Sequence, residues 1–219
     1  MSKTLFFDFD GTIADSEQGI VNGIKYMIDR LGLNELAPNE YRDWIGPSLG
    51  YSINKYFPEV TGTGVQHAIK TYQEYYEAQG IFELQLYKDM PEVLAQLQDN
   101  GYQLAVASSK PELMIERIID HFEMRELFTG LYGASMDETT RVTKADVLAY
   151  AIEQTGADKP HSLMIGDRFT DIQGGRQNHV QTLGVTYGFG DMAELTEAGA
   201  SRIIAMPGEV SGAASLLLA

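Results

Sequence analysis

Lys3-Thr4-Leu5-Phe6-Phe7-Asp8-Phe9-Asp10-Gly11-Thr12 is a short apolar, aromatic run that breaks at two aspartates and a glycine. Such a run, closed by a turn residue, reads as a buried strand over residues 3–9. Side chains alternate across a strand, so Asp8 and Asp10 fall on one face. At the carboxyl end of a parallel strand, that face looks into the crevice where open α/β sheets bind ligands. Gly11 permits a sharp turn and a close approach of a ligand to the backbone. Neighbouring carboxylates repel, and they need a cation or a shared proton. Asp and Gly also favour turns, so by itself this stretch is open between a turn and a site.

Outward from this strand the pattern changes twice. A helix is expected over residues 16–31, because Ile20, Ile24, Met27, Ile28 and Leu31 share one face and Gly32 is placed to end it. Residues 38–79 read as helix in pieces, interrupted at Gly46-Pro47, Pro58 and Gly62-Thr63-Gly64. No strand signal lies between Asp15 and about Ile81. Helices are then expected over 91–98, 111–122, 144–154, 169–178, 191–197 and 210–218. Between them, strands are expected over 102–107, 130–133, 162–165, 181–185 and 202–205. This alternation argues for an α/β fold, a parallel sheet with helices on both faces. The economical architecture is a core of residues 1–14 and 86–219, interrupted by a helical domain over 15–85, with hinges at 12–16 and 80–88.

A length of 219 residues suits one domain with an insertion, and 44% hydrophobic with 21% charged residues excludes disorder and coiled coil. With no cysteine, disulfides, thiolate metal sites and cysteine nucleophiles are excluded. The balance of 16 Lys+Arg against 31 Asp+Glu gives a net charge of −15, the opposite of a nucleic-acid footprint. It also gives no attraction to anionic membranes, and by itself reads as solubility. No run reaches the roughly 18 apolar residues of a membrane span. Asp8 follows the first apolar run too soon for a signal peptide, so a cytoplasmic protein is expected.

Three further segments carry chemistry. Met164-Ile165-Gly166-Asp167-Arg168-Phe169-Thr170-Asp171 again ends an apolar strand in acids, and a first helical turn brings Asp167 and Asp171 together. Two acidic strand ends in one sheet suggest a shared hard-cation site, and oxygen donors suit Mg²⁺ rather than Zn²⁺. A helix N-cap accounts for one of these aspartates but not for the repeated device. Leu104-Ala105-Val106-Ala107-Ser108-Ser109-Lys110-Pro111 ends a strand in two hydroxyls before a helix, which fits either a phosphate site or a serine N-cap. Arg141-Val142-Thr143-Lys144 places cations at a helix start, against the macrodipole, so Lys144 is expected to serve elsewhere, as in holding an anion.

Together these four segments resemble the haloacid dehalogenase superfamily of phosphohydrolases, and the match runs from end to end of the chain. Asp8-Phe9-Asp10-Gly11-Thr12 is similar to its first motif, Ser108 to its second, Lys144 to its third, and Gly166-Asp167 with Asp171 to its fourth. The insertion resembles the family's α-helical cap, placed on a Rossmann-like core. Trp44-Ile45-Gly46-Pro47-Ser48-Leu49 resembles the branch named for phosphoglycolate phosphatase, which also contains 5′-nucleotidases. The resemblance implies an Mg²⁺-dependent phosphomonoester hydrolase working through an aspartyl phosphate. Its partner would be a small phosphorylated metabolite, phosphoglycolate or a nucleoside 5′-monophosphate. A monomer or weak homodimer is expected, with no nucleic-acid or membrane partner.

By the same resemblance Asp8 is the nucleophile and Asp10 the acid and base. Gly11, Thr12, Ser108, Ser109 and Lys144 surround the phosphate. Mg²⁺ lies on Asp8, the Asp10 carbonyl, Asp167 and Asp171. Asp10 sets the chain apart from dehalogenases and phosphonatases, which do not use it. A β-phosphoglucomutase-like phosphotransferase keeps this acid, but it usually carries an arginine in the cap loop. Here Gly46-Pro47-Ser48-Leu49-Gly50-Tyr51 has no basic residue.

His179 stands where the family usually has glycine, and a left-handed backbone is expected there. His67, His121 and His161 read as surface residues. Tyr72, Tyr75 and Tyr76 share a helix face and read as cap packing rather than a base-stacking platform. Trp44 reads as a cap–core contact more than as a pocket wall, with Arg42 and Tyr51 as minor specificity candidates. Arg141 and Arg168 read as surface partners of acidic neighbours, and residues 136–140 as a surface loop.

Overall fold

β1 (Thr4–Phe7) is buried along its whole length in the computed structural model, which describes residues 3–219. After it come β2 (Ala14–Asp15), α1 (Glu17–Leu31), α2 (Leu49–Tyr56), α3 (Thr63–Ala78) and β3 (Gln85–Leu86). The remainder alternates: α4 (Met90–Asp99), β4 (Gln103–Pro111), α5 (Glu112–His121), β5 (Gly130–Ala134), α6 (Lys144–Thr155), β6 (Ser162–Gly166) and α7 (Phe169–Gln177). It ends with β7 (Gln181–Val185), α8 (Met192–Ala198), β8 (Arg202–Ile204) and α9 (Val210–Leu217). Six strands form one sheet in the order β5-β4-β1-β6-β7-β8, and every neighbouring pair is parallel. The expected α/β fold with a parallel sheet is the observed one.

The alternation within β1 assigns its faces. Leu5 and Phe7 join a core with Leu94 and Leu97 of α4, Ile115, Ile118 and Ile119 of α5, and Val210 of α9. Phe6 joins the opposite core with Val147, Leu148, Ala151 and Ile152 of α6. Both faces of the central strand are therefore covered, as a fully parallel sheet requires. In register, Phe7 pairs with Val106 on one side and Ile165 on the other, so the three acidic or hydroxylated strand ends emerge side by side.

Several boundaries differ from the sequence expectation. β4 runs on to Pro111, with a register shift against β5 between Ser108 and Pro111. Ser108 and Ser109 are therefore still strand, and Pro111 sits at the N-cap of α5 rather than in its first turn. β2 and β3 pair antiparallel through Ala14↔Leu86 and Asp15↔Gln85, a ribbon of two residues per strand that joins the two expected hinges. Helix α1 forms as read, with Ile20, Ile24, Met27 and Ile28 buried and Gly32 left-handed at its C-cap. The insertion's apolar faces join the same core as Leu5 and Phe7.

His179 has φ +60°, the left-handed backbone expected for it, and its side chain is exposed. A side chain there costs roughly 1–2 kcal/mol relative to the right-handed region. His179→Gly is expected to raise stability by about 0.5–1 kcal/mol in urea unfolding, after the larger backbone entropy of glycine is subtracted.

Candidate active site

The ends of β1, β4 and β6 and the start of α6 converge on one buried cluster. Lys144 is the first residue of α6, behind a capping box in which Thr143 and Asp146 exchange hydrogen bonds. The cap satisfies the helix start, so Lys144 is free to point elsewhere. Its ammonium lies 2.6 Å from Asp8 Oδ1 and 2.8 Å from Asp171 Oδ1, and donates to the Ala107 carbonyl at 3.2 Å. The conflict between its charge and the helix dipole is thus resolved inside the molecule.

Each acid is held by its own set of donors. Asp8 Oδ1 also accepts from the Phe9 amide at 2.7 Å. Asp167 accepts from the Phe189 amide at 2.8 Å and from the Thr12 hydroxyl at 3.3 Å. Asp171 accepts from the Arg168 amide at 3.0 Å. Glycines make the space: a side chain at Gly11 or Gly188 would collide with Asp167, and one at Gly166 would collide with Asp171. Gly11 also has φ +83°, a second reason for glycine at that turn.

Burial sets the protonation behaviour. It pushes Asp8 up to about 6, with Asp171 adding to the rise, while Lys144 and the Ser108 hydroxyl pull it back. Asp167 is pushed well above the carboxylate range by burial and by Asp171 and Asp8. Burial works against the charge of Lys144, but Asp171 and Asp8 outweigh it and leave its pKa above the usual value.

Asp10 takes a different partner. Its carboxylate receives Lys110 Nζ at 2.8 and 2.9 Å, and both side chains are buried. Lys110 Nζ also lies 4.8 Å from the centre of the Tyr76 ring. The sequence reading assigned Lys110 no role; a cation directly after two strand-end hydroxyls was the available signal.

A chamber of about 60 Å³ lies beside these residues, lined by Asp8, Asp10, Ser108, Ser109 and Lys110 from the core. From the insertion come Trp44, residues 46–49, Tyr72 and Tyr76. Gly11 and Thr12, expected around the phosphate, serve here as the walls of Asp167. Lys144 reaches the chamber through Asp8. Tyr72 and Tyr76 stack on one another, so they both pack the insertion and line the chamber. Trp44 is buried, stacked near Tyr56, and also lines it.

Two expectations are corrected. Residues 136–140 are not simply a surface loop: Glu138 is only 8% exposed, and its carboxylate accepts from the Leu49 and Gly50 amides at 3.0 and 2.9 Å. Arg168 pairs with Glu194 at 2.9 Å as expected, but it is buried and also donates to the Ile45 carbonyl.

Asp8, Asp167 and Asp171 offer carboxylate oxygens within 4.8 Å of one another. With Asp10 they make four buried carboxylates against the ammonium groups of Lys110 and Lys144, an excess of two negative charges when all are ionised. A divalent cation held by oxygen donors fits that set in charge and in chemistry.

A buried Lys144 between Asp8 at the end of β1 and Asp171 in the first turn of α7, with hydroxyls on the next strand, fits a hydrolase of the phosphatase class built on an α/β core. The chain belongs to the haloacid dehalogenase-like hydrolase family, whose model matches residues 5–185. It is 33% identical over 194 residues to a 5′-nucleotidase of Pseudomonas aeruginosa, covering 87% of this chain and 86% of that one. It is 25% identical over 195 residues to a phosphoglycolate phosphatase of Psychrobacter arcticus, covering 85% and 84%. In structure it is similar to a predicted phosphatase from Clostridium acetobutylicum, with a TM-score of 0.91 and 33% identity over 100% of this chain and 99% of that one.

The raised acids give a signed prediction. Between the ordinary carboxylate value of 3.8 and about 6, Asp8 binds a proton more readily folded than unfolded, so metal-free stability falls as pH rises through that window. Mg²⁺ is therefore expected to raise the melting temperature more at pH 7.5 than at pH 5, where protons compete for the same oxygens. EDTA should reverse the rise, and Asp167→Asn should remove most of it.

Proposed function

We propose that the protein is an Mg²⁺-dependent phosphomonoester hydrolase acting on a small phosphorylated metabolite through an aspartyl phosphate. The observation that carries this reading is the position of Asp8. One carboxylate oxygen is fixed by Lys144 and the Phe9 amide, and the residue lines a chamber shared with Asp10 and Ser108. The cation would be held by Asp8, the Asp10 carbonyl, Asp167 and Asp171. When bound, it supplies positive charge that offsets the carboxylates and the phosphate dianion.

Asp8 Oδ2, the oxygen not tied to Lys144, attacks phosphorus, and the bond to the leaving oxygen breaks. Asp10 takes a proton from solvent before the site closes, releases Lys110, and passes that proton to the leaving oxygen as its bond to phosphorus breaks. Asp10 then takes a proton from water, the hydroxide attacks phosphorus, and inorganic phosphate departs with Asp8 restored. Ser108, Ser109 and Lys144 hold the phosphoryl oxygens as charge develops. The helical insertion acts as a cap that closes over the chamber and excludes bulk water.

Phosphoglycolate and nucleoside 5′-monophosphates are the leading substrate classes, supported by the names of the relatives. A phosphotransferase of the mutase kind is disfavoured by the loop over residues 46–51, which carries no basic side chain. We place the enzyme in the cytoplasm as a monomer or weak homodimer.

Phosphate release from a panel of phosphomonoesters, with Mg²⁺ or EDTA, tests the reaction. Asp8→Asn is expected to lose activity on the order of 10⁴-fold or more, and Asp10→Asn about 10²–10⁴-fold. Release that persists in Asp8→Asn would sink the aspartyl-phosphate mechanism.

A further inference from the structure

Glu138 stands apart from the machinery above. It comes from the core, in the loop between β5 and α6, yet its carboxylate ends on the first two amides of α2 in the insertion. It lines the chamber that holds Asp8 and Asp10. It also lines a second cavity of about 400 Å³ on the other side of the loop at Pro47 and Ser48. That cavity is walled by Tyr51, Val65, Ile69, Val142 and Phe169. Glu138 thus lies, with Pro47, Ser48 and Ser109, on the wall shared by the two spaces.

The loop holds it there firmly. Ser135 Oγ donates to Asp137 at 2.7 Å and receives the Thr139 and Thr140 amides at 3.2 and 3.0 Å. Gln73 of α3 donates to the Met136 carbonyl, a second grip of the insertion on the same segment. Burial raises the pKa of Glu138, and the Gly50 and Leu49 amides oppose the rise.

The chamber's remaining polar groups are complementary to this acceptor. Trp44 and Tyr76 both line it, and the Trp44 Nε1–H and Tyr76 hydroxyl are buried without a hydrogen-bond partner among the described residues. Unpaired buried donors are costly, and a ligand oxygen that accepts from them recovers that cost. Two residues of the chamber wall thus carry unpaired donors beside one anionic acceptor, and a leaving group that reaches them can be held by all three. An alcohol hydroxyl can accept from the first two and donate to the third. A carboxylate can accept from Trp44 and Tyr76, and from Lys110 once Asp10 releases it, but at Glu138 it meets a like charge with no proton to share.

We infer that Glu138 is the specificity-determining residue of the hydrolase, selecting phosphomonoesters whose leaving group is uncharged and hydroxylated and rejecting those that carry a carboxylate. This rests on the phosphatase reading and orders its substrates: polyol- or nucleoside-type esters stand ahead of phosphoglycolate. Like charges brought together at a binding surface suppress the wrong partner, so the selection is large enough to measure.

The test compares glycerol 3-phosphate with phosphoglycolate, two esters of similar size that differ in the charge of the leaving group. In wild-type protein kcat/KM is expected to favour glycerol 3-phosphate at least about tenfold. In Glu138→Gln that ratio should narrow at least about fivefold, chiefly through KM for phosphoglycolate. Glu138→Ala, with melting curves to confirm folding, provides a second removal of the charge. A wild-type preference for phosphoglycolate, or a ratio unchanged in both variants, overturns the inference while leaving the hydrolase intact.

Binding separates this inference from the reaction itself. Trp44 is the single tryptophan and lines the chamber, so its fluorescence reports occupancy. In Asp8→Asn protein, titration with each ester should show the same discrimination and the same loss of it when Glu138→Gln is added. Discrimination in this titration without turnover in wild type would keep the selection and discard the hydrolase. Absence of discrimination in both measurements would discard the selection.

Discussion

Lys144 places one positive charge between two buried carboxylates, 2.6 Å from Asp8 and 2.8 Å from Asp171. Breaking a buried pair from one side leaves an uncompensated charge, which is far worse than never having buried the pair. The surrounding structure is arranged to keep all three in place. α6 starts where it does because a capping box leaves its first residue free to turn inward. Gly166 gives Asp171 room, and Gly11 and Gly188 do the same for Asp167. The sheet brings the parts together, since β1 lies between β4 and β6 with Phe7 level with Val106 and Ile165.

The two halves of the molecule divide the chemistry. The core supplies every charged group that faces the phosphorus in the proposed mechanism. The insertion supplies most of the apolar and aromatic wall, through Trp44, Tyr72 and Tyr76. Two core side chains hold the loop between these walls: Arg168 at the Ile45 carbonyl and Glu138 at the Leu49 and Gly50 amides. Arg168 follows Asp167 directly in sequence, so the grip on the insertion and the acidic cluster share one turn of chain. Any shift of that turn is felt at both.

Much of this was legible because it is written in local pattern. The apolar run at Leu5-Phe6-Phe7 followed by Asp8 and Asp10 announces both the strand and the site, and the four-residue step from Asp167 to Asp171 announces the cluster. Lys144 was legible as a local conflict, a cation at a helix start, whose resolution lies in Asp8 and Asp171. What escaped the reading depends on distant partners. The β2–β3 ribbon has only two residues per strand, too few to show an alternation. Glu138 sits in a polar stretch that resembles any surface turn, and only α2, almost 90 residues earlier, makes it a buried acceptor. The extension of β4 through Ser109 comes from pairing with β5, which overrides the usual preference of serine for helix caps. Lys110 acquires meaning only once Asp10 is seen 2.8 Å away.

The central place of β1 also governs how the chain comes into being. This strand is made first, yet its hydrogen-bonding neighbours are β4, from residue 103, and β6, from residue 162. On a ribosome adding about 5–20 residues per second, the four residues of β1, three of them apolar, wait for roughly 10–30 s before both edges are covered. Until then they form an open template for pairing with another chain. The β2–β3 ribbon ties the two ends of the helical insertion together, and so holds β1 near the point where the chain returns to form β4. The half-built sheet is therefore the stage at which a chaperone would matter most to this protein, well before any cation or ester reaches it.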